Sequence, residues 1–436
     1  MNEWGLWLLV TLASVMPVAL LAFLPREMLM TSLILMFSWM TFTRVGLQTW
    51  SVAMVGVASI RARPGSSLIV VAGIAGVVGV LVTVLAMAQG FEMTLWRTGS
   101  DDTVLIMREG AASEVDSVID RESMGIIPQA QQVLKDSRGE PVSSPEVVVI
   151  VGLPKKSSGP DVNVALRGVG THAWELRPGV KIIAGRKFGL GLRELIAGKD
   201  VRDQFAGVAL GSTLSLGGQS WTLVGIFDSG DAHNSELWGD AGVVGSAYRR
   251  GGNLTSVTVR LTDAAAFDAF KSTLVSDPRL KVDIQTTRQY YSLQSEDLAH
   301  LIRVFGTTVG VIMGVGAVFG ALNTMYSAVA TRAREVATLR AIGFPGVSVI
   351  IAVLFETMLL AIAGGVIGTA IAWCCFDGFT ASSLATNFSQ VVFAFKVSPD
   401  LLRKGLKWAL ALGFIGGLLP AVSAARTPIT TGLRAL

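Results

Sequence analysis

The sequence predicts an α-helical membrane protein of about six spans that carries an α+β domain outside the membrane. Three observations predict it. Apolar residues make up 51% of the chain and charged residues 16%, where a soluble domain carries about 25% charged. The apolar residues gather at both ends in runs long enough to cross a bilayer, while residues 91–298 read as an ordinary soluble domain. Charge divides the same way: residues 91–298 hold 22 Lys+Arg against 26 Asp+Glu, and the remaining chain holds 14 against 6. The pI near 9.1 therefore belongs to the membrane part. A nucleic-acid partner would need basic charge clustered on a folded domain, and the soluble domain is acidic, so no nucleic acid is expected.

Six segments approach the roughly 20 apolar residues that a membrane helix needs: Gly5–Leu24, Met28–Phe42, Ser66–Gly90, Val304–Met325, Val347–Phe376 and Trp408–Ala425. Glu3 is the only charge before Arg26, so the first lacks the basic start of a signal peptide and reads as a retained span. With the second it forms an apolar hairpin over residues 1–43. Residues 44–65 suit a helix lying in the membrane interface, with Arg61 and Arg63 toward lipid headgroups. Pro64 and Gly65 then turn the chain into the first core span, residues 66–90.

Lys and Arg in short loops mark the cytoplasmic side. Arg44, Arg61 and Arg63, then Arg332, Arg334 and Arg340, then Arg426 and Arg434 share that side if the chain starts in the cytoplasm and crosses six times. The soluble domain then lies outside. Lys396, Arg403, Lys404 and Lys407 dissent, because this topology places them outside as well. Cys374 and Cys375, the only cysteines, lie adjacent in an apolar run and offer neither a disulfide framework nor a zinc site.

In the external domain, Glu146–Leu153, Gly207–Leu216, Trp221–Phe227 and Ser256–Leu261 are rich in β-branched residues and bounded by Gly, Asp or Ser, which predicts strands. Ser113–Glu122 and Asp263–Leu274 have helical spacing, the second with Thr262 as its N-cap. The domain shows no catalytic constellation in its sequence. His172, His233 and His300 are too scattered in sequence to suggest a metal site, and no nucleophile elbow or zinc-protease motif is present. The Gly-rich stretch Gly185–Lys199 fails as a phosphate loop, because Arg193 stands where the first glycine belongs and Asp200 where Ser or Thr belongs. No cofactor site and no metal site is expected on this chain.

The most informative segment is Asn323–Phe344, the end of a span that runs into a short charged helix and a Gly343–Phe344–Pro345 break. Composition alone allows a loop that merely anchors two helices. The string, however, closely resembles the signature of FtsX-like permeases: Asn323-Thr324-Met325, then Arg332-x-Arg334-Glu335-Val336, then Leu339-Arg340-Ala341-Ile342-Gly343. Phe355–Trp373 resembles a core span of that family, with the acidic Glu356 near its cytoplasmic end and small residues spaced for close helix packing. Glu356 is a functional candidate as an ionisable group in a span, or else a structural hydrogen-bonding group. Gly417–Leu436 resembles the family's usual ending, and Gly185–Phe188 with Val208–Asp228 resembles the MacB-type periplasmic core domain. The resemblance covers roughly residues 48–436. The hairpin at residues 1–43 departs from it.

The resemblance to the MacB/FtsX-like (type VII) ABC transporter permeases implies a four-span FtsX-like core, with residues 299–436 supplying three spans and residues 91–298 the periplasmic domain. It implies two permease chains side by side in a bacterial inner membrane, each bound to a separate ATP-binding subunit that holds the ATP and Mg. The helix at residues 331–340 would be the coupling helix, with Arg332, Arg334, Glu335, Leu339, Arg340 and Gly343 docking on that ATPase. Motion would then pass to the external domain, which exports or extracts a substrate through a periplasmic adaptor and outer-membrane channel or onto a carrier protein. Two alternatives stand beside export: regulation of a periplasmic cell-wall hydrolase without transport, and a peptide-sensing system. The external domain of about 200 residues favours export.

Overall fold

The computed structural model describes residues 43, 46–54, 63–157, 161–384 and 389–434. Residues 1–42 of the expected apolar hairpin at 1–43, together with Arg44 and Arg61, lie outside the described residues. The chain divides into two compact units. A membrane unit holds residues up to 87 with 302–377 and 396–436, and an external unit holds 88–301 with 378–395.

Among the described residues, four helices are long and apolar enough to cross a membrane: α1 (Pro64–Thr98), α2 (Thr287–Thr331), α4 (Gly346–Phe376) and α5 (Pro399–Arg426). A short helix α3 (Ala333–Ala341) lies between α2 and α4, and α6 (Ile429–Arg434) follows α5. The expected span over residues 66–90 is thus the greater part of a longer helix. Bilayer helices gain little from burying one apolar surface on another, so close backbone approach carries their association. Gly368 of α4 shows it: a Cβ there would meet the Ala75 carbonyl of α1 at 2.5 Å. On the α5 side, a Cβ at Gly417 would strike Thr357 Oγ1 at 2.2 Å. Two of the four dissenting cations, Lys396 and Arg403, sit beside Asp377 and Asp400.

The external unit is built on a ten-stranded mixed sheet in the order β10-β1-β9-β2-β3-β8-β5-β7-β4, with β6 paired to β7. The strands are β1 Thr103–Arg108, β2 Ser143–Pro154, β3 Asp161–Val169, β4 Lys181–Gly185, β5 Glu194–Gly198, β6 Thr213–Leu216, β7 Gln219–Asp228, β8 Glu236–Asp240, β9 Ser256–Arg260 and β10 Val282–Thr286. Strand β2 joins the two halves. Its first residues pair with β9 up to Glu146↔Ser256, and its remainder pairs with β3 from Val147↔Gly168. A hairpin of β11 (Thr380–Leu384) and β12 (Gln390–Ala394) also belongs to this unit. The Val392 amide donates to Ser235 Oγ at 2.9 Å, and Phe393 packs edge-on against Phe91.

Where β2 changes partner, the sheet buries a charge network. Arg167 of β3 is 2% exposed, and all five of its N–H donors are used. Its Nη1 donates to Glu114 and Glu146 at 2.7 and 2.8 Å, its Nη2 to Glu114 and Glu236 at 3.0 and 2.9 Å, and its Nε to Glu236 at 2.9 Å. Arg177 adds a bidentate pair to Glu146 at 2.7 and 2.9 Å. His233 Nδ1 and Trp238 Nε1 complete the shell of Glu236.

The network corrects one expected element. Ser113–Glu122 is not one helix: Glu114–Asp116 forms a single 3-10 turn that delivers Glu114 to Arg167, and Ile119 bridges Leu254 across the sheet. A new helix starts only at Arg121, capped by Asp120. The second expected helix does form, as a 3-10 turn leading into Phe267–Val275, but its cap is Asp263, which accepts from the Ala266 amide, and not Thr262. Of the expected strand Gly207–Leu216, only Thr213–Leu216 pairs, because Gly207 and Gly211 take positive φ and make turns.

Burial opposes ionisation of Glu146 and Glu236. The charges of Arg177 and Arg167 on the first, and the charge of Arg167 together with the His233 hydrogen bond on the second, more than offset it and hold both carboxyls below the ordinary value of 4.5. Their stabilisation is therefore complete above that pH and is lost as the pH falls beneath it. Chemical denaturation at about pH 6 and about pH 3 should show the external unit markedly weaker in acid. Arg167→Met leaves three carboxylates without their common cation and should cost about 3–5 kcal/mol at neutral pH; an unchanged denaturation midpoint would contradict the hub role. In the membrane unit, Gly368→Val should cost about 1–3 kcal/mol by overpacking. Gly73→Ala, whose Cβ meets nothing within 4 Å, should leave the melting temperature in place.

Candidate functional site

The loop between α2 and α4 holds every coupling residue expected from the sequence. Helix α2 ends at Thr331, and Arg332 leaves the helical region at φ −107° and ψ 11° before α3 begins. Glu335 in the first turn of α3 and Arg340 in its last both oppose the helix dipole favourably. At the far end Gly343 takes φ +102°, and the Phe344 amide reaches back to the Leu339 carbonyl at 3.1 Å. That backward bond closes the helix and needs a residue at ease with positive φ. Pro345 then opens α4.

Apart from Gly343, which ends the helix, the six residues divide into two groups. Arg332 turns inward: its Nη1 lies 3.3 Å from Glu356 Oε2 of α4, and its Nε lies 3.1 Å from Glu335 Oε2. Both partners of the first pair are largely covered, while Glu335 is 63% exposed. Arg340 also turns inward, donating to the Thr427 carbonyl that follows α5. Leu339 packs with Phe344 and Phe355 on a small core of Val52, Ala53 and Ala352. Residues 46–54, part of the expected interfacial segment, are helical and supply Val52 and Ala53. Thr49 Oγ1 of the same segment donates to Ser348 Oγ at 3.0 Å.

The outward group is different in kind. Arg334, Glu335, Thr338 and Ile342 are exposed, and their spacing of about one turn puts them on one face of α3. Ile342 is 69% exposed. It was absent from the expected set, although an apolar residue at the tip of a charged loop was a readable signal. Beneath this face Ala337 is buried, and a Cβ at Gly432 of α6 would approach it at 2.7 Å. Glu356 therefore acts here as the internal partner of Arg332.

The external unit has a separate open cleft of about 380 Å³. Arg97, Arg177, Arg260, Asp102, Asp231 and His233 contribute to its walls. Arg260 pairs with Asp102 at 2.7 Å and Arg177 with Glu146, so much of its charge is already matched.

Residues 67–276 match the family of MacB-like periplasmic core domains, and residues 307–429 match the FtsX-like permease C-terminal family. A Macrolide export ATP-binding/permease protein MacB from Photorhabdus laumondii is 26% identical over 226 residues, covering 50% of this chain and 34% of that protein. The protein of the same name from Burkholderia pseudomallei is 22% identical over 286 residues, covering 61% and 42%. The matches thus span well under half the length of these relatives. Among solved structures, the periplasmic region of MacB from Actinobacillus actinomycetemcomitans matches at 15% identity and a TM-score of 0.34, covering 44% of this chain and 92% of that one.

Removal of the inward cation should loosen the loop. Arg332→Ala leaves Glu356 covered and unpaired, so amide exchange across residues 333–341 should speed up by at least about tenfold. The double change Arg332→Met with Glu356→Leu should restore protection; protection unchanged in Arg332→Ala would show that the pair does not hold α3.

Proposed function

Because the chain belongs to the MacB/FtsX-like ABC transporter permeases, we propose that it is a permease subunit that transmits ATP-driven motion from a separate ATPase to its external domain. The protein sits in a bacterial inner membrane, with the external unit in the periplasm. Two permease chains pair, and each presents α3 to an ATP-binding subunit that holds ATP and Mg. The outward face of α3 carries this reading. Arg334, Glu335 and Thr338 supply polar contacts, and Ile342 supplies an apolar tip that a groove on the partner would bury. The inward contacts of Arg332 and Arg340 hold that face in shape before docking, which lowers the ordering cost of association.

The motion leaves the loop along α2, one helix of 45 residues from Thr287 to Thr331. A continuous helix can carry an axial or shear displacement along its length. The work is the export or extraction of a substrate, passed to a periplasmic adaptor and outer-membrane channel or to a carrier protein. The similarity of residues 67–276 to MacB-like periplasmic core domains supports export over hydrolase regulation.

Tagged wild-type, Glu335→Arg and Ile342→Asp chains, purified from native membranes, provide the test. The wild-type chain should bring down an ATP-binding protein and stimulate its ATPase activity. Each variant should weaken that association by about 30-fold or more, since a partly desolvated interface contact is worth a few kcal/mol. If no ATPase accompanies the wild-type chain, the relay reading fails. If both variants retain full association and stimulation, the outward face is not the docking face.

A further inference from the structure

Folding brings His172 beside a hairpin that lies far from it in sequence. One donor atom each from Asp136, Glu140 and His172 lie within 4.8 Å of one another. The hairpin is set by the Asp136 amide donating to the Glu140 carbonyl at 2.7 Å and the Gly139 amide to the Asp136 carbonyl at 3.0 Å. Asp136 Oδ1 accepts from the Arg138 and Glu140 amides at 2.8 and 2.9 Å, which leaves Oδ2 as the outward-reaching oxygen. His172 stands in the turn between β3 and the helix Ala173–Leu176 and is 8% exposed. Its Nε2 is buried, has no hydrogen-bond partner, and lies 3.7 Å from Asp136 Oδ2.

That distance is too long for a hydrogen bond. It is close to the separation of two donors on one ion, about 3–3.7 Å for bonds of about 2.0–2.2 Å. His172 Nδ1 lies 3.4 Å from Thr171 Oγ1. With the hydrogen on Nδ1 toward that hydroxyl, Nε2 would present its lone pair to the carboxylate, an arrangement that a cation between them makes favourable. We propose that Asp136, Glu140 and His172 bind a divalent transition-metal ion. One imidazole with two carboxylates suits zinc better than magnesium or calcium, which favour all-oxygen shells.

The site has three protein ligands, and exposed Glu140 at its rim leaves further positions to water. Arg138 competes for it. Its Nε bonds Asp136 Oδ2 at 3.2 Å, but its side chain is 73% exposed and free to swing away when an ion takes that oxygen. The bound ion clips the hairpin around Gly139 to the turn after β3, so its effect is on the stability of the external unit.

The experiment uses the full chain in detergent without a histidine tag, stripped with EDTA and titrated with zinc against a chromophoric chelator. The wild-type chain should take up one zinc more than His172→Gln or Glu140→Gln, and zinc should raise its melting temperature where magnesium does not. Arg138→Ala should bind at least about threefold tighter, since it removes the competing cation. Glu140 is exposed, so its variant tests the site with little risk to folding. Equal uptake by the wild type and both ligand variants overturns the proposal. So does a melting temperature that zinc leaves unmoved.

Discussion

A single buried guanidinium sets the architecture of the external unit. Arg167 sits at the centre of the sheet with every donor engaged, and its three carboxylate partners come from separate parts of the chain. Glu114 arrives from the turn after β1, Glu146 from the residue where β2 changes partners, and Glu236 from the start of β8. Ser256 of β9 donates to Glu114 at 2.8 Å and adds a fourth segment. Desolvated charges are favourable only when fully paired. The register of four strands is therefore specified together: a shift in any one of them leaves an ion buried without its partner. Apolar packing around the network supplies the bulk of the driving force, but apolar packing tolerates slippage that this network does not.

The same constraint reaches the start of α2. Tyr290 accepts the Glu114 amide at 3.1 Å, and Tyr291 packs edge-on against His233. One turn earlier, the Thr287 hydroxyl accepts from the Ser100 amide at 2.8 Å, and Arg288 pairs with Asp101 while lying over the Trp96 ring at 4.0 Å. Within the external unit, the last turns of α1 and the first turns of α2 are thus bound to each other and to the charged core. The division between the units falls inside both helices, at 87/88 and 301/302. In the proposed relay this matters more than any pocket. There, motion carried along α2 would arrive at a seat in the external unit fixed by ion pairs and aromatic contacts.

Four of the six expected membrane helices and the family signature of the charged loop were legible because their signals are local. Apolar runs, helix breakers and the Asn323–Phe344 string need no knowledge of distant residues. The four strands read from β-branched runs also rest on local pattern. The missed features all depend on long-range partners. Ser113–Glu122 has helical spacing, yet Ile119 is claimed by Leu254 and Glu114 by Arg167. Strand β3 was overlooked although Arg167 stands inside the run Val162–Val169 (VNVALRGV), where a lone charge amid β-branched residues was the available clue. His233 read as one more scattered histidine, because nothing near it in sequence reveals Glu236 Oε2 at 3.0 Å as part of a larger network.

The charged loop shows why residue type alone could not assign roles. Arg332, Arg334 and Arg340 look alike in the sequence, and helical periodicity sends them to different faces. In the proposed docking, the inward pair would make the outward face usable. A loop with three solvated arginines would be a flexible tether, and binding would have to order it at a cost of about 0.5–1.5 kcal/mol for each immobilised long side chain. Pinning Arg332 on Glu356 and Arg340 on the Thr427 carbonyl meets part of that cost during folding. It also connects α3 to α4 and to the end of α5, so a force on the outward face is not confined to the α2 that precedes it. A mere anchor for two spans would need none of this: its arginines would serve equally well facing lipid headgroups. The division of the arginines between an internal brace and an exposed face is therefore the physical argument for a docking element.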